Sequence, residues 1–167
     1  MTDFTEDDLE LRWLWLASDI HGNIGQFGSS GDGALLSQFM SVEEAETVEE
    51  YVMERLSDAL GGFCEGIVHM DALRYIDVRG SLPGQSNEEA QQILVTSVAE
   101  DASCGLFVYT AHLQPWRPVG YLQTGAPSRP RHVSTLPSQI AAIVERVRFP
   151  HLDFASAREI KVEDFDV

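Results

Sequence analysis

The chain has 167 residues, 44% of them hydrophobic and 23% charged, with only two cysteines. That length and apolar content suit one domain with its own core, and they exclude a wholly disordered chain. The formal net charge of −16 excludes nucleic acid and anionic membrane as direct ligands, because such a field repels phosphate.

The charge is uneven. Residues 1–60 hold fourteen acids against Arg12 and Arg55, and Lys161 is the only lysine. A basic protein is the natural complement of that half, while plain solubility is the other reading of the same composition. The first residues, Met-Thr-Asp-Phe-Thr-Glu-Asp-Asp, are acidic where a secretory signal is basic, and no apolar run approaches about 18 residues. A cytoplasmic protein without a membrane partner is expected. Cys64 and Cys104 stand alone as Phe-Cys-Glu and Ser-Cys-Gly with no Cys-x-x-Cys spacing, so buried free thiols are expected rather than a disulfide or a metal site.

Leu11 to Ala17 is apolar and aromatic enough for a largely buried strand. Asp19 to Asn23 supplies the Asp, Gly and Asn of a tight turn, and Ile24 to Ser29 returns as the second strand of a hairpin with His21 at its tip. Ser41-Val42-Glu43-Glu44 is a capping box that starts a helix. Ala45, Val48, Val52, Leu56 and Ala59 make its core-facing stripe, and Gly61-Gly62 stops it. The far side carries Glu43, Glu46, Glu50 and Glu54. Glu54 and Asp58 fall late in the helix, where its dipole no longer favours acids, so the acidic surplus points beyond helix stability.

Gly66 to Met70 and Leu73 to Val78 read as short strands around a turn at Asp71. Ser86-Asn87-Glu88-Glu89 is a second capping box, opening a helix with Ala90, Ile93, Leu94 and Val98 on one face. Leu106 to His112 and Val119 to Gln123 read as strands, separated by Gln114 to Pro118, whose prolines argue against a central strand. Pro127 to Arg131 is a loop. Pro137 suits the first turn of a helix carrying Ile140, Ala141, Ile143, Val144 and Val147, which Pro150 ends, and the tail with Ile160, Val162 and Phe165 adds an edge strand. The interleaving predicts α+β: one domain over 1–167, with a mostly antiparallel sheet and helices packed on one face. Between 110 and 150 the charge reverses, with Arg117, Arg129, Arg131, Arg146 and Arg148 against Glu145. That region is either an internal counterpart of the acidic face or a surface for self-association into a homodimer.

Three other features bear on chemistry. Ser29 to Gly33 has the glycines of an anion-binding loop but no Lys-Ser/Thr after it, so a turn is the simpler reading. Cys104 could pair with His112 or His132 as thiol and imidazole, though a cysteine beside glycine is more often packing. Trp116, between two prolines and beside Arg117, has the composition of an interface anchor and equally of a core residue.

Two resemblances follow from these residues. Ser18-Asp19-Ile20-His21-Gly22-Asn23 resembles the first metal-binding signature of the calcineurin-like metallophosphoesterases, which would make Asp19 and His21 metal ligands. A two-metal clamp needs further ligands to hold ions about 3.5 to 4 Å apart. Gly31-Asp32 comes too early and lacks the second Asp, and His69, His112, His132 and His151 lack the family's Asn-His and Gly-His contexts. The glycine-punctuated run after Asn23 also opposes the helix that follows the signature in that family.

The second resemblance covers more of the chain. The aromatic strand leading into Ala17 to Phe27, then Ser29-Ser30-Gly31-Asp32-Gly33, then an acidic helix, is similar to small bacterial immunity proteins of polymorphic toxin and contact-dependent inhibition systems. Leu136-Pro137-Ser138 with Ile140 to Val147, followed by Leu152-Asp153-Phe154, resembles their closing part. The resemblance implies a non-enzymatic cytoplasmic protein, without cofactor or metal, that neutralises a cognate toxin, with a basic nuclease as one candidate. Asp32, Glu43, Glu46, Glu50, Glu54 and Trp116 are the candidate contacts. A metal-dependent phosphoesterase and an acidic structural or adaptor subunit are the alternatives.

Overall fold

A computed structural model describes residues 14–28, 40–56, 63–76, 84, 86–114, 117–161 and 164. Strands β1 (Leu14–Ser18) and β2 (Ile24–Gly28) form the expected antiparallel hairpin, with Trp15 opposite Phe27. Gly22 turns the chain at φ +79°, a conformation that side chains oppose and glycine tolerates. Helix α1 (Val42–Glu50) starts at the Ser41/Glu44 capping box and runs into a wider π-helical stretch, Tyr51–Leu56. Then come β3 (Gly66–Val68), the single turn α2 (Met70–Leu73), and α3 (Asn87–Ser103), whose Ser86/Glu89 capping box is also formed. Strands β4 (Phe107–Gln114) and β5 (Arg117–Pro127) precede α4 (Ser138–Arg146) and the short β6 (Glu159–Lys161).

The six strands form one sheet in the order β1-β2-β4-β5-β3, with β6 also on β5. Four pairs are antiparallel, as expected, but β2 and β4 run parallel, so the sheet is mixed and the class is α+β. A parallel pair needs a long crossover, here the whole segment from β2 to β4. Trp15, Phe27 and Tyr109 lie in register across β1, β2 and β4 and stack, with centroids 4.2 and 4.8 Å apart. Tyr121 meets Trp15 and Phe27 edge-on, and Phe154 meets Phe27 and Tyr109. Each such aromatic pair adds about 0.5–1.5 kcal/mol beyond the area it buries.

On this aromatic face a segment without helix or strand carries Phe149 and Phe154, while α3 covers the opposite face through Val98 and Ala102 on Val108. Ala45, Val48 and Val52 of α1 and Ile140, Ile143 and Val144 of α4 share the core cluster of Trp15, Phe27 and Tyr109, so the helices are not confined to one face as expected. The loop is held by a buried amide. Gln123 Nε2 donates to the carbonyl of Phe154 at 2.7 Å and to Tyr109 Oη at 3.0 Å, and Tyr109 donates to the carbonyl of Ala157. Burial pushes the Tyr109 phenol well up, so it stays a donor.

Several elements depart from expectation. The second strand expected from Leu73 is replaced by α2, whose Ala72 and Leu73 are buried; Asp77 and Val78 lie outside the described residues. The β-prone run Ile93-Leu94-Val95 is helical, and Val95 rather than the 45% exposed Ile93 joins the packing beneath α3. Pro118 does pair, with Leu113, at a register shift next to His112, the irregularity at which a sheet tolerates proline. Helix α4 ends four residues before Pro150, because Ser18 pairs with both the Val147 carbonyl and the Phe149 amide and draws that segment alongside β1. In the tail, β6 buries Ile160 as expected.

Strand β3 lies against the C-terminal end of α3. A Cβ on Gly66 would sit 2.3 Å from the Ala99 carbonyl oxygen and 2.9 Å from the Ser103 amide nitrogen. Backbone atoms cannot swing aside as a side-chain tip can. Gly66→Ala is expected to lower stability by about 1–3 kcal/mol through this overpacking, measured by urea denaturation.

Candidate functional site

The acidic face begins with how α1 is anchored. Ala45, Val48 and Val52 are buried at 0–4% exposure, as the stripe required, which fixes the opposite side toward solvent. The Leu56 side chain and Ala59 lie outside the described residues. Glu43, Glu46, Glu50 and Glu54 are all exposed. Met53 is 64% exposed among them, an adaptable apolar side chain on a charged surface. Met53 falls off the core stripe of Val48 and Val52; that offset was the only sign in the sequence that it would face outward.

Glu44 is the exception on this helix. It closes the capping box, accepting from the Ser41 amide at 3.0 Å, and pairs with Arg146 of α4. Burial would raise its pKa, but the Ser41 amide and then Arg146 outweigh that and hold it below the ordinary value. Glu43, Glu44, Thr47, Gln139, Ile143 and Arg146 line an open groove of about 460 Å³ between the two helices. The Glu44–Arg146 pair thus fixes the acidic helix relative to α4.

The described arginines of the arginine-rich region make intramolecular contacts, although Arg129, Arg146 and Arg148 are exposed. Arg129 and Arg131 lie 4.3 and 4.2 Å from the centroid of the Phe63 ring, and they donate to the carbonyls of Phe63 and Cys104. Arg148 donates to the Ile20 carbonyl. With Arg146 on Glu44, four of the five arginines have internal partners; the Arg117 side chain lies outside the described residues. Asp32 and Trp116, the other two candidate contacts, also lie outside them.

Asp19 is fully buried and its carboxylate is engaged on both oxygens. Oδ1 accepts from the His21 and Asn23 amides at 2.9 Å each; Oδ2 accepts from the Phe154 amide at 2.9 Å and from Asn23 Nδ2 at 3.2 Å. His21 points elsewhere, its Nε2 lying 3.8 Å from Asp153 at an exposed position. Near it, Ser18, His132, Glu145 and Arg148 line a second open depression. Among the described residues no three His, Cys, Asp or Glu side chains gather as metal ligands. The Asp19 carboxylate ties the turn to the 154 loop, and the Asp, His and Asn at phosphoesterase spacing lie in a hairpin turn.

No family model matches the chain, and no curated protein and no solved structure matches it. Among the described residues no helix is long and apolar enough to cross a membrane.

Proposed function

We propose that this chain is an immunity-type protein: a non-catalytic, cytoplasmic inhibitor that binds a basic toxin domain and covers its active site. The observation that carries this reading is the exposed set Glu43, Glu46, Glu50 and Glu54 around Met53, on a helix whose other side is core. These four acids face outward on a chain whose net charge is −16. A toxin that acts on phosphodiesters has a cationic cleft, and carboxylates spaced along a rigid helix can occupy it in place of phosphate. Such a surface accelerates encounter by electrostatic steering, while an apolar centre that excludes water slows dissociation. Asp32 and Trp116 complete the contact surface in this reading.

The test starts with a tagged copy of the protein in its native host lysate, mass spectrometry of what it retains, and a growth assay with that binder. A toxic domain whose effect is relieved by this protein is the expected result. Reversing Glu43, Glu46, Glu50 and Glu54 to Lys is then expected to weaken binding at least tenfold, mostly through the association rate and most strongly at low salt, with the circular dichroism unchanged. Glu44 is left intact so that its pairing with Arg146 survives. Undiminished affinity in the quadruple variant would remove the acidic face from the interface.

A further inference from the structure

The two cysteines, 40 residues apart in sequence, are brought together where β3 meets the end of α3. The Cys64 amide donates to the Ser103 carbonyl at 3.0 Å, and Cys64 Sγ lies 3.5 Å from the carbonyl oxygens of both Ala102 and Ser103. Ser103 immediately precedes Cys104, so the Cys64 thiol rests on the peptide unit that leads into Cys104. Gly66 pressed on Ala99 and Ser103, and Arg131 bonded to the Cys104 carbonyl at 2.9 Å, hold the two backbones in that relation.

The exposures differ in a useful way. Cys64 is half-buried, whereas Cys104 is only 7% exposed. We propose that Cys64 and Cys104 form an oxidation-dependent disulfide, with Cys64 as the thiol that meets the oxidant and Cys104 as the thiol that resolves it.

The reaction is thiol–disulfide exchange with a small disulfide such as oxidised glutathione. Cys64 thiolate attacks one sulfur of the oxidant, forming a mixed disulfide and expelling one glutathione thiolate. Cys104 thiolate then attacks the Cys64 sulfur, expelling the second. Both cysteines lose hydrogen and are oxidised; the small disulfide is reduced to two thiols. Burial, with Asp101 nearby, pushes the Cys104 thiol up, so the second step is slow at neutral pH and faster in mild alkali. Proximity makes that step intramolecular, which compensates for the small thiolate fraction. Closing the loop between the two residues removes freedom from the unfolded chain and pins β3 to α3.

The experiment incubates the purified full chain with oxidised glutathione at mildly alkaline pH and follows intact mass, alkylation and thermal melting. The expected product is a monomer lighter by two hydrogens, closed to alkylation at both cysteines, with Tm raised by roughly 10 °C and restored by dithiothreitol. Cys104→Ala should stop at a glutathione adduct on Cys64, and Cys64→Ala should react little. Cys104→Ser serves as the second variant if the alanine variant is poorly folded. Wild-type protein that accumulates only the Cys64 adduct, forms only intermolecular dimers, or shows no reaction while its circular dichroism remains native would overturn the proposal.

Discussion

Asp19→Ala is expected to lower stability by about 4 kcal/mol, a fall in Tm of roughly 10 °C for a domain of this size. The side chain has no solvent exposure and receives four N–H donors. Removing it orphans the His21 and Asn23 amides in the turn, the Asn23 side-chain amide, and the Phe154 amide across the core. A buried donor left without a partner costs about 1–3 kcal/mol, so even partial rehydration at the turn leaves a large loss. Asp19→Asn keeps one acceptor oxygen but sets an NH₂ against donors on the other side; about half the loss is expected. Chemical denaturation of the three proteins by circular dichroism measures both effects, and wild-type stability in Asp19→Ala would show that the turn does not depend on this carboxylate. The same proteins address the phosphoesterase resemblance. Because the Asp19 oxygens are occupied by the fold itself, added Mn²⁺ or Zn²⁺ should leave the wild-type Tm unchanged. A rise at stoichiometric metal would restore Asp19 and His21 as ligands.

Asp19 also separates what could be read in the sequence from what could not. Its bonds to residues 21 and 23 are local, and the Asp-x-x-Gly-Asn spacing announced a turn. Its bond to Phe154 spans 135 residues and depends on where the tail returns, which no local pattern encodes. The same division runs through the rest of the fold. Both capping boxes and the Ala45, Val48 and Val52 stripe were legible, because a cap and a helical period are set within a few residues. The parallel pairing of β2 with β4 was not, since strand polarity depends on a crossover and not on the strands' own residues. The acids of the candidate face were legible from helical spacing. The internal use of Arg129, Arg131, Arg146 and Arg148 was not, because a run of arginines looks the same whether it meets a partner or its own chain. Nor was the approach of Cys64 to the end of α3, which arises only when β3 settles against that helix.

Asp101→Asn is expected to stabilise the protein by about 2 kcal/mol at pH 7.5 and to lose that advantage toward pH 4. Asp101 lies largely buried on α3 and accepts from Gln26 Nε2 of β2 at 2.7 Å. Burial pushes its pKa from 3.8 up to about 6, against the pull of the Gln26 hydrogen bond and with a smaller push from Glu100. The native state therefore holds this proton more tightly than the unfolded chain does. Its contribution to stability is fully present below about pH 4 and is lost as the pH rises through about 6, so at neutral pH the ionised carboxylate is a burden. The geometry of Gln26 supplies the second half of the argument. Its Nε2 meets the carboxylate, which can only accept, and its Oε1 is buried with no hydrogen-bond partner among the described residues. An asparagine keeps an acceptor oxygen for Nε2 without the buried charge, as protonated Asp101 does below its pKa. Urea denaturation of both proteins from pH 4 to 8 measures the difference directly, since every other titrating group is common to the two and cancels. A variant less stable than wild type at pH 7.5, or a gap that does not narrow with falling pH, would mean that this carboxylate is not held at a cost between α3 and β2.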